Sequence, residues 1–212
     1  GNALDKKDNC TGVDSDNDGL WTSLVVAAEY FRLHVVTEES ERRDAEEAAH
    51  RYLSGMILLN EITAMPGFMA RSVCSPEEWK AETCGGDHDT HDREHWKEAA
   101  CDDPRYKGWY YKDDTSSDEV VGHVLALTIA SKLSPSPEDR SKASSLLTSI
   151  VKNVVSNGYV LVGPDKNPNG TTWGKWAPEF VNGWRNFSDE RGLQSLQMLS
   201  MLSAASSASS AA

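Results

Sequence analysis

Apolar positions recur with a helical period in five stretches of the chain. From Gly19 to Val36, Leu20, Leu24, Ala27, Ala28, Phe31 and Val35 share a face, while Trp21, Val25, Val26, Tyr30 and Leu33 occupy others. A helix that is apolar nearly all round is a buried one. Thr37 is placed to cap a second helix, Glu38–Thr63, whose stripe is Ala45, Ala48, Ala49, Tyr52, Met56, Leu59 and Ile62. Its acidic first turn suits the helix dipole. A third helix, Ser117–Leu133, is again apolar on most of its surface, through Val120, Val121, Val124, Leu125, Leu127 and Ile129. Pro135 and Pro137 separate it from a fourth, Glu138–Val155, with a stripe of Leu146, Leu147, Ile150, Val151 and Val154, closed by Asn157-Gly158. A fifth runs from about Glu190 to Leu202, with Leu193, Leu196, Met198, Leu199, Met201 and Leu202.

Helices that are apolar all round alternate with amphipathic ones. That order predicts an all-α fold, an αα-hairpin array in which one layer is enclosed and the next covers it. Short β-strands are expected in the long loops, at Phe68–Val73, Gly108–Lys112 and Tyr159–Val162. Residues 1–18 read as an N-terminal loop and residues 19–202 as the hairpin domain. Cys74 to Asp103 forms an acidic insertion within it, Pro164 to Asn186 a loop rich in Gly, Pro, Asn and Trp, and Ser203–Ala212 a tail of Ser and Ala alone. The starts of the three expected inner helices resemble one another: Asp14-Ser15-Asp16-Asn17-Asp18-Gly19-Leu20, Asp114-Thr115-Ser116-Ser117-Asp118-Glu119 and Phe187-Ser188-Asp189-Glu190-Arg191-Gly192-Leu193. Equivalent helices of such an array run parallel, so these acids should converge on one rim.

Composition narrows the partners. The chain has 212 residues, 33 acidic against 21 basic, and a net charge of -12. So acidic a surface repels phosphate backbones and argues against nucleic acid. No apolar run is long enough for a membrane span. Four cysteines (Cys10, Cys74, Cys84, Cys101) and three N-x-S/T sequons (at Asn9, Asn169 and Asn186) tilt the expected compartment toward secreted or lumenal, with a disulfide-bonded glycoprotein in view. No signal peptide is visible at the polar start of the chain, which reads as an interior cut or a processed end. Seven tryptophans suit either core packing or a sugar-binding cleft.

Asp14, Asp16 and Asp18 match the first half of a calcium loop, D-x-D-x-D-G, whose alternate oxygens wrap a hard cation. Val25 stands where an EF-hand needs a bidentate Glu, so only a looser Ca²⁺ site is compatible. An Asp-rich helix cap explains the same residues. Asp114–Glu119 offers a capping box through Thr115 or Ser116 with Asp118 or Glu119. That leaves His123, four residues after Glu119 on the same face, without a role. His91 and His95 share a helical spacing, but Asp92 occupies the place of the glutamate a zinc protease needs, so a solvated loop or an incidental Zn²⁺ site remains.

Four segments carry a family resemblance. They are Asp16–Trp21, Pro66–Arg71, Trp109–Glu119 with Gly122-His123, and Trp173–Glu179, and they resemble the six-hairpin glycosidase-like, (α/α)-toroid proteins. With about five helices against twelve, the chain is similar to half of such a toroid. The resemblance implies a glycan or polysaccharide as partner, bound in an acidic, Trp-lined cleft at the inner helix N-termini, and a hydrolase or lyase activity. Asp118 or Glu119 would be the acid/base, opposed by Asp18 or Glu179. Trp21, Trp109, Trp173 and Trp176 would stack on sugars, and Arg71, Lys112, His123 and Arg191 would complete the cleft. The alternative is a non-catalytic secreted module that binds glycan or calcium, or that assembles with other subunits or the missing half of the toroid.

Overall fold

A computed structural model describes residues 17–82, 84, 94–99, 101–168, 170–171, 173–183 and 190–209. Five long helices build it: α1 (Asp18–Val35), α2 (Glu39–Glu61), α4 (Ser117–Leu133), α5 (Pro137–Ser156) and α7 (Arg191–Ser209). Two short ones, α3 (Pro76–Lys80) and α6 (Pro178–Gly183), lie in the loops. The helical class follows from the sequence period, and the ends agree within a turn at four of the five long helices. At α7 the Ser/Ala tail continues the helix to Ser209.

Tertiary bonds fix the directions. Near the starts of α1 and α4, the Leu20 N–H donates to Glu119. Toward their ends, Tyr30 and Ser134 line one cleft. The two helices are therefore parallel. Asn60, late in α2, bonds His123, early in α4, and His50 of α2 bonds Asp139 at the start of α5. So α2 runs against α4, and α5 leaves from the far pole. The start of α7 shares a cleft with the start of α4, so α7 too begins at this pole. The result is an up-down array with an inner row α1–α4–α7, while α2 packs on α1 and α5 packs on α4 and α7.

The core lies between the rows. Leu53, Met56, Leu127, Leu147, Ile150 and Met201 are wholly buried there, joined by Phe68 and Met69 of the segment after α2. The expected stripes of α2 and α5 are observed in the main, with Ala48, Tyr52 and Leu146 only half-buried, and Leu53 and Ala143 join them in the core. Ser136 caps α5 by accepting from the Asp139 N–H at 3.2 Å, with Pro137 in the first turn. Central α4 is enclosed over most of its surface, with Leu125 left exposed and Val121 and Ile129 half-buried.

The two edge helices depart from expectation. α1, expected to be buried all round, buries Gly19, Ser23, Val26, Ala27, Tyr30 and Leu33, while Trp21, Leu24, Val25, Phe31 and Val35 are exposed. Leu193, Leu196, Leu199 and Leu202 of α7 are exposed as well. In α1 periodicity could not choose a face, because every face was apolar. Close approach decided it: a Cβ on Gly122 would stand 2.9 Å from the Leu20 Cα, so α4 takes the side of α1 built from small residues.

Of the expected strands, Phe68–Val73 shrinks to β1 (Val73–Cys74) and Gly108–Lys112 to β3 (Tyr110–Lys112). β2 (Trp96–Glu98), unforeseen, completes an antiparallel sheet ordered β1-β3-β2. Trp79 of α3 stacks on Tyr110 at 4.0 Å, closing this small unit. Cys74 and Cys84 form a disulfide beside it. Tyr159–Val162 yields only one bridge, Val160 to Lys175.

Candidate functional site

The inner helix starts meet at one rim, and Arg71 organises it. Its backbone N–H donates to the Lys112 carbonyl at 2.9 Å, seating it at the end of β3. Its guanidinium then donates to the Asp114 carbonyl (3.1 Å) and to the Asn17 side chain (3.2 Å), linking the entries of α4 and α1. The neighbouring Ser72 hydroxyl donates to Asp18. Thr115 donates to the Met69 carbonyl at 2.7 Å, fastening the approach to α4. The capping box expected at α4 does not form. Ser116 spends its hydroxyl on Asp118, and Glu119 reaches across to α1 instead.

Beneath the rim lies a buried polar cluster. Glu119 and His123 are fully buried. The Leu20 N–H meets both carboxyl oxygens of Glu119, at 3.3 and 3.2 Å. The Asn60 amide donates to the Met56 carbonyl and to His123 Nδ1, at 2.8 and 2.9 Å. Nδ1 is therefore the acceptor, so Nε2 carries the proton of a neutral ring. Gly19 makes room for the cluster: a Cβ there would lie 2.3 Å from Glu119 Oε2 and 2.7 Å from His123 Nε2. Burial pushes the Glu119 carboxyl up to about 8, against the pull of the Leu20 N–H and Arg71, and the charges of Asp118 and Asp18 raise it further. Burial drives His123 down to about 3.

Above the rim a cleft of about 350 Å³ opens between the starts of α4 and α7. Arg71, Ser116, Ser117 and Asp118 form one wall, and Glu190, Leu193 and Gln197 the other, with exposed Trp173 alongside. Among the described residues, Asp118 and Glu190 are the carboxyl groups that line it. A carboxyl pair, a guanidinium and an aromatic plane together can bind a polyhydroxylated ligand and exchange protons with it.

The expected residues thus separate into groups. Asp118, Arg71 and Trp173 line the cleft. Asp18 joins the rim through Ser72, while Glu119 and His123 lie below it, out of solvent. Lys112 is buried within β3. Trp176 is buried, and its indole N–H donates to Gln197 at 2.8 Å, so it pins the 159–177 loop to α7 rather than offering a face to a ligand. Trp109 packs edge-on against Tyr106, away from the cleft lining. Glu179, Trp21 and Arg191 are exposed and do not line the cleft. Asp14, Asp16, His91 and the three sequon asparagines lie outside the described residues. His95 bonds Asp113 at 3.2 Å. Among the described residues the one cluster with metal-ligand spacing is Cys74, Glu78 and Cys84, whose sulfurs are committed to the disulfide.

Glu190, Gln197 and Asn60 are the residues that sequence reasoning missed. Glu190 had a signal: it sits in the third of the three similar helix starts. Asn60 had none, being one amide near the end of an amphipathic helix. Comparison with family models, curated proteins and solved structures returned no match for this chain.

Proposed function

We propose that this chain is a carbohydrate-active domain of the six-hairpin glycosidase-like kind, its hairpin array part of an (α/α) toroid, and that it cleaves a glycosidic bond in the cleft between α4 and α7. The observation that carries the reading is that Asp118 and Glu190 line one cleft together with Trp173 and Arg71. Glycoside hydrolysis requires two carboxyl groups, one to protonate the leaving oxygen and one to attack or to activate water. Asp118 and Glu190 fill these roles, Trp173 stacks on a sugar ring, and Arg71 binds hydroxyl or carboxylate oxygens. Glu190 replaces Glu179 and Asp18 as the partner of Asp118, because neither of those lines the cleft. Glu119 then supports the rim from below.

The disulfide supports an extracellular or lumenal site of action. No helix among the described residues is long and apolar enough to cross a membrane. The test is release of reducing ends from a panel of neutral and acidic polysaccharides. Asp118→Asn and Glu190→Gln should each lower turnover by about 10²–10⁴-fold with binding retained. Trp173→Ala should weaken binding while leaving the melting temperature unchanged, since the ring is exposed. Turnover that survives both carboxyl substitutions would refute the assignment. Binding without turnover in the parent chain would leave a glycan-binding module.

A further inference from the structure

The inner row has two edges, and both are apolar. On α1, Trp21, Leu24, Val25, Ala28, Phe31 and Val35 recur at helical spacing and form one stripe left uncovered by α2 and α4. Trp21, Phe31 and Val35 are 55%, 54% and 74% exposed. On α7, Leu196 and Leu199 stand on the outer face among exposed serines, while Leu193 and Leu202 lie on its two flanks, Leu193 in the cleft lining. Scattered exposed leucines are ordinary, but a contiguous patch of several hundred Å² marks an interface.

The charge pattern agrees. One residue in four of this chain is charged, yet none is from Gly192 to Ala212. Between Leu20 and Val35 the Asp, Glu, Lys and Arg residues are Glu29 and Arg32 alone, and these pair with each other at 3.1 Å. Edge helices that ended in water in so acidic a protein would carry charges on their outer faces.

We infer that these stripes join two copies of this chain, α1 of each copy lying against α7 of the other. Three observations favour a second copy as the occupant. First, α1 and α7 lie on either side of α4 and begin at the same rim, so the two apolar faces are the two edges of one row. Second, the stripes are complementary in shape. The bulky rings are on α1, and the small serines that leave holes between leucines are on α7. Third, the area suffices only if both stripes are used. The α1 stripe and the outer face of α7 expose roughly 500 and 200 Å² of apolar side chain, so two reciprocal contacts bury roughly 1,400 Å² in total, within the range of stable interfaces. An α1-to-α1 pair would bury roughly 1,000 Å², below that range, and would leave both α7 stripes bare. Two reciprocal contacts about a two-fold axis close the assembly without open ends.

The experiment is sedimentation velocity on the 212-residue chain and its variants. At about 10 µM the parent should run at twice the 23.3 kDa chain mass. Phe31→Glu on α1 and Leu196→Glu on α7 should each weaken dimerisation at least 10-fold, because each spoils both contacts of a homodimer. Circular dichroism should stay unchanged, since both residues are exposed. Val35→Glu and Leu199→Glu form a second pair should either of the first fail to fold. Mixing the Phe31→Glu and Leu196→Glu chains restores one parental contact, so dimer should reappear. A parent chain monomeric at about 100 µM would overturn the inference. So would a Leu196→Glu chain that still dimerises, or a mixture that stays monomeric.

Discussion

Glu119→Gln tests the buried cluster through the pH dependence of stability. In the folded protein Glu119 titrates near 8 rather than at its ordinary 4.5. Between those values the native state holds one proton that the unfolded state has lost. A group raised in this way stabilises fully below its unfolded pKa, and the contribution drains as pH rises toward the folded one. His123 works in the opposite sense. Its folded pKa is about 3 against 6.5, so its contribution is complete above 6.5 and is lost as pH falls toward 3. From pH 4.5 to 6.5 the two slopes cancel. Above 6.5 the loss from Glu119 stands alone, and below 4.5 that from His123.

The amide keeps an oxygen for the Leu20 N–H but has no proton to lose. The difference in unfolding free energy, Glu119→Gln minus parent, should therefore be flat below pH 4.5 and rise by about 1.4 kcal/mol per pH unit above it. By pH 7 the gain is about 3 kcal/mol, or roughly 6–12 °C in melting temperature for a chain of this length. Urea titrations at half-unit steps from pH 4 to 8 measure it, with Asp18, Asp118, Arg71 and His123 common to both proteins. Parallel curves would mean that the native carboxyl is ionised. In that case the helix start and Arg71 outweigh burial, and the reasoning fails.

Two further outcomes follow from the packing. Gly122→Ala should cost about 1–3 kcal/mol despite alanine's higher helix propensity, because its Cβ would meet the Leu20 backbone at 2.9 Å; thermal melts read it, and a neutral result would mean that α1 is free to move away. Reducing the Cys74–Cys84 bridge should lower the local stability of the β1–β3 unit by about 2–3 kcal/mol. Amide exchange at Tyr110 and Tyr111 should then quicken while α4 and α5 stay protected, and uniform loss of protection would refute that local reading.

How far the sequence could be read depends on what each residue's neighbours had to be. α2 and α5 were legible as to which face is buried, because a charged face leaves only one apolar stripe to bury, though Leu53 and Ala143 escaped it. α4 was legible as enclosed for the opposite reason. α1 and α7 carried the same signal as α4, yet their stripes are bare. An all-round apolar helix announces that every face needs a neighbour, and says nothing of whether this chain supplies it. Patterning reports demand for burial, and packing reports how much of it the chain itself can meet.

The site divides along the same line. Convergence of the acids was legible because parallel helices of an array must begin at one pole, and Asp18, Asp118 and Glu190 do gather at that pole. The split between Asp118 and Glu119 was not. The two are consecutive on α4 and so point about 100° apart, one into the cleft and the other toward α1. Which of them met solvent depended on Gly19 and Gly122, whose missing side chains let α1 press close enough to roof over Glu119. Neither glycine carries a functional group, so nothing in its own chemistry marks it. Yet they determine which carboxyl can reach a ligand and which is held protonated out of water, and a single methyl at either position should disturb both.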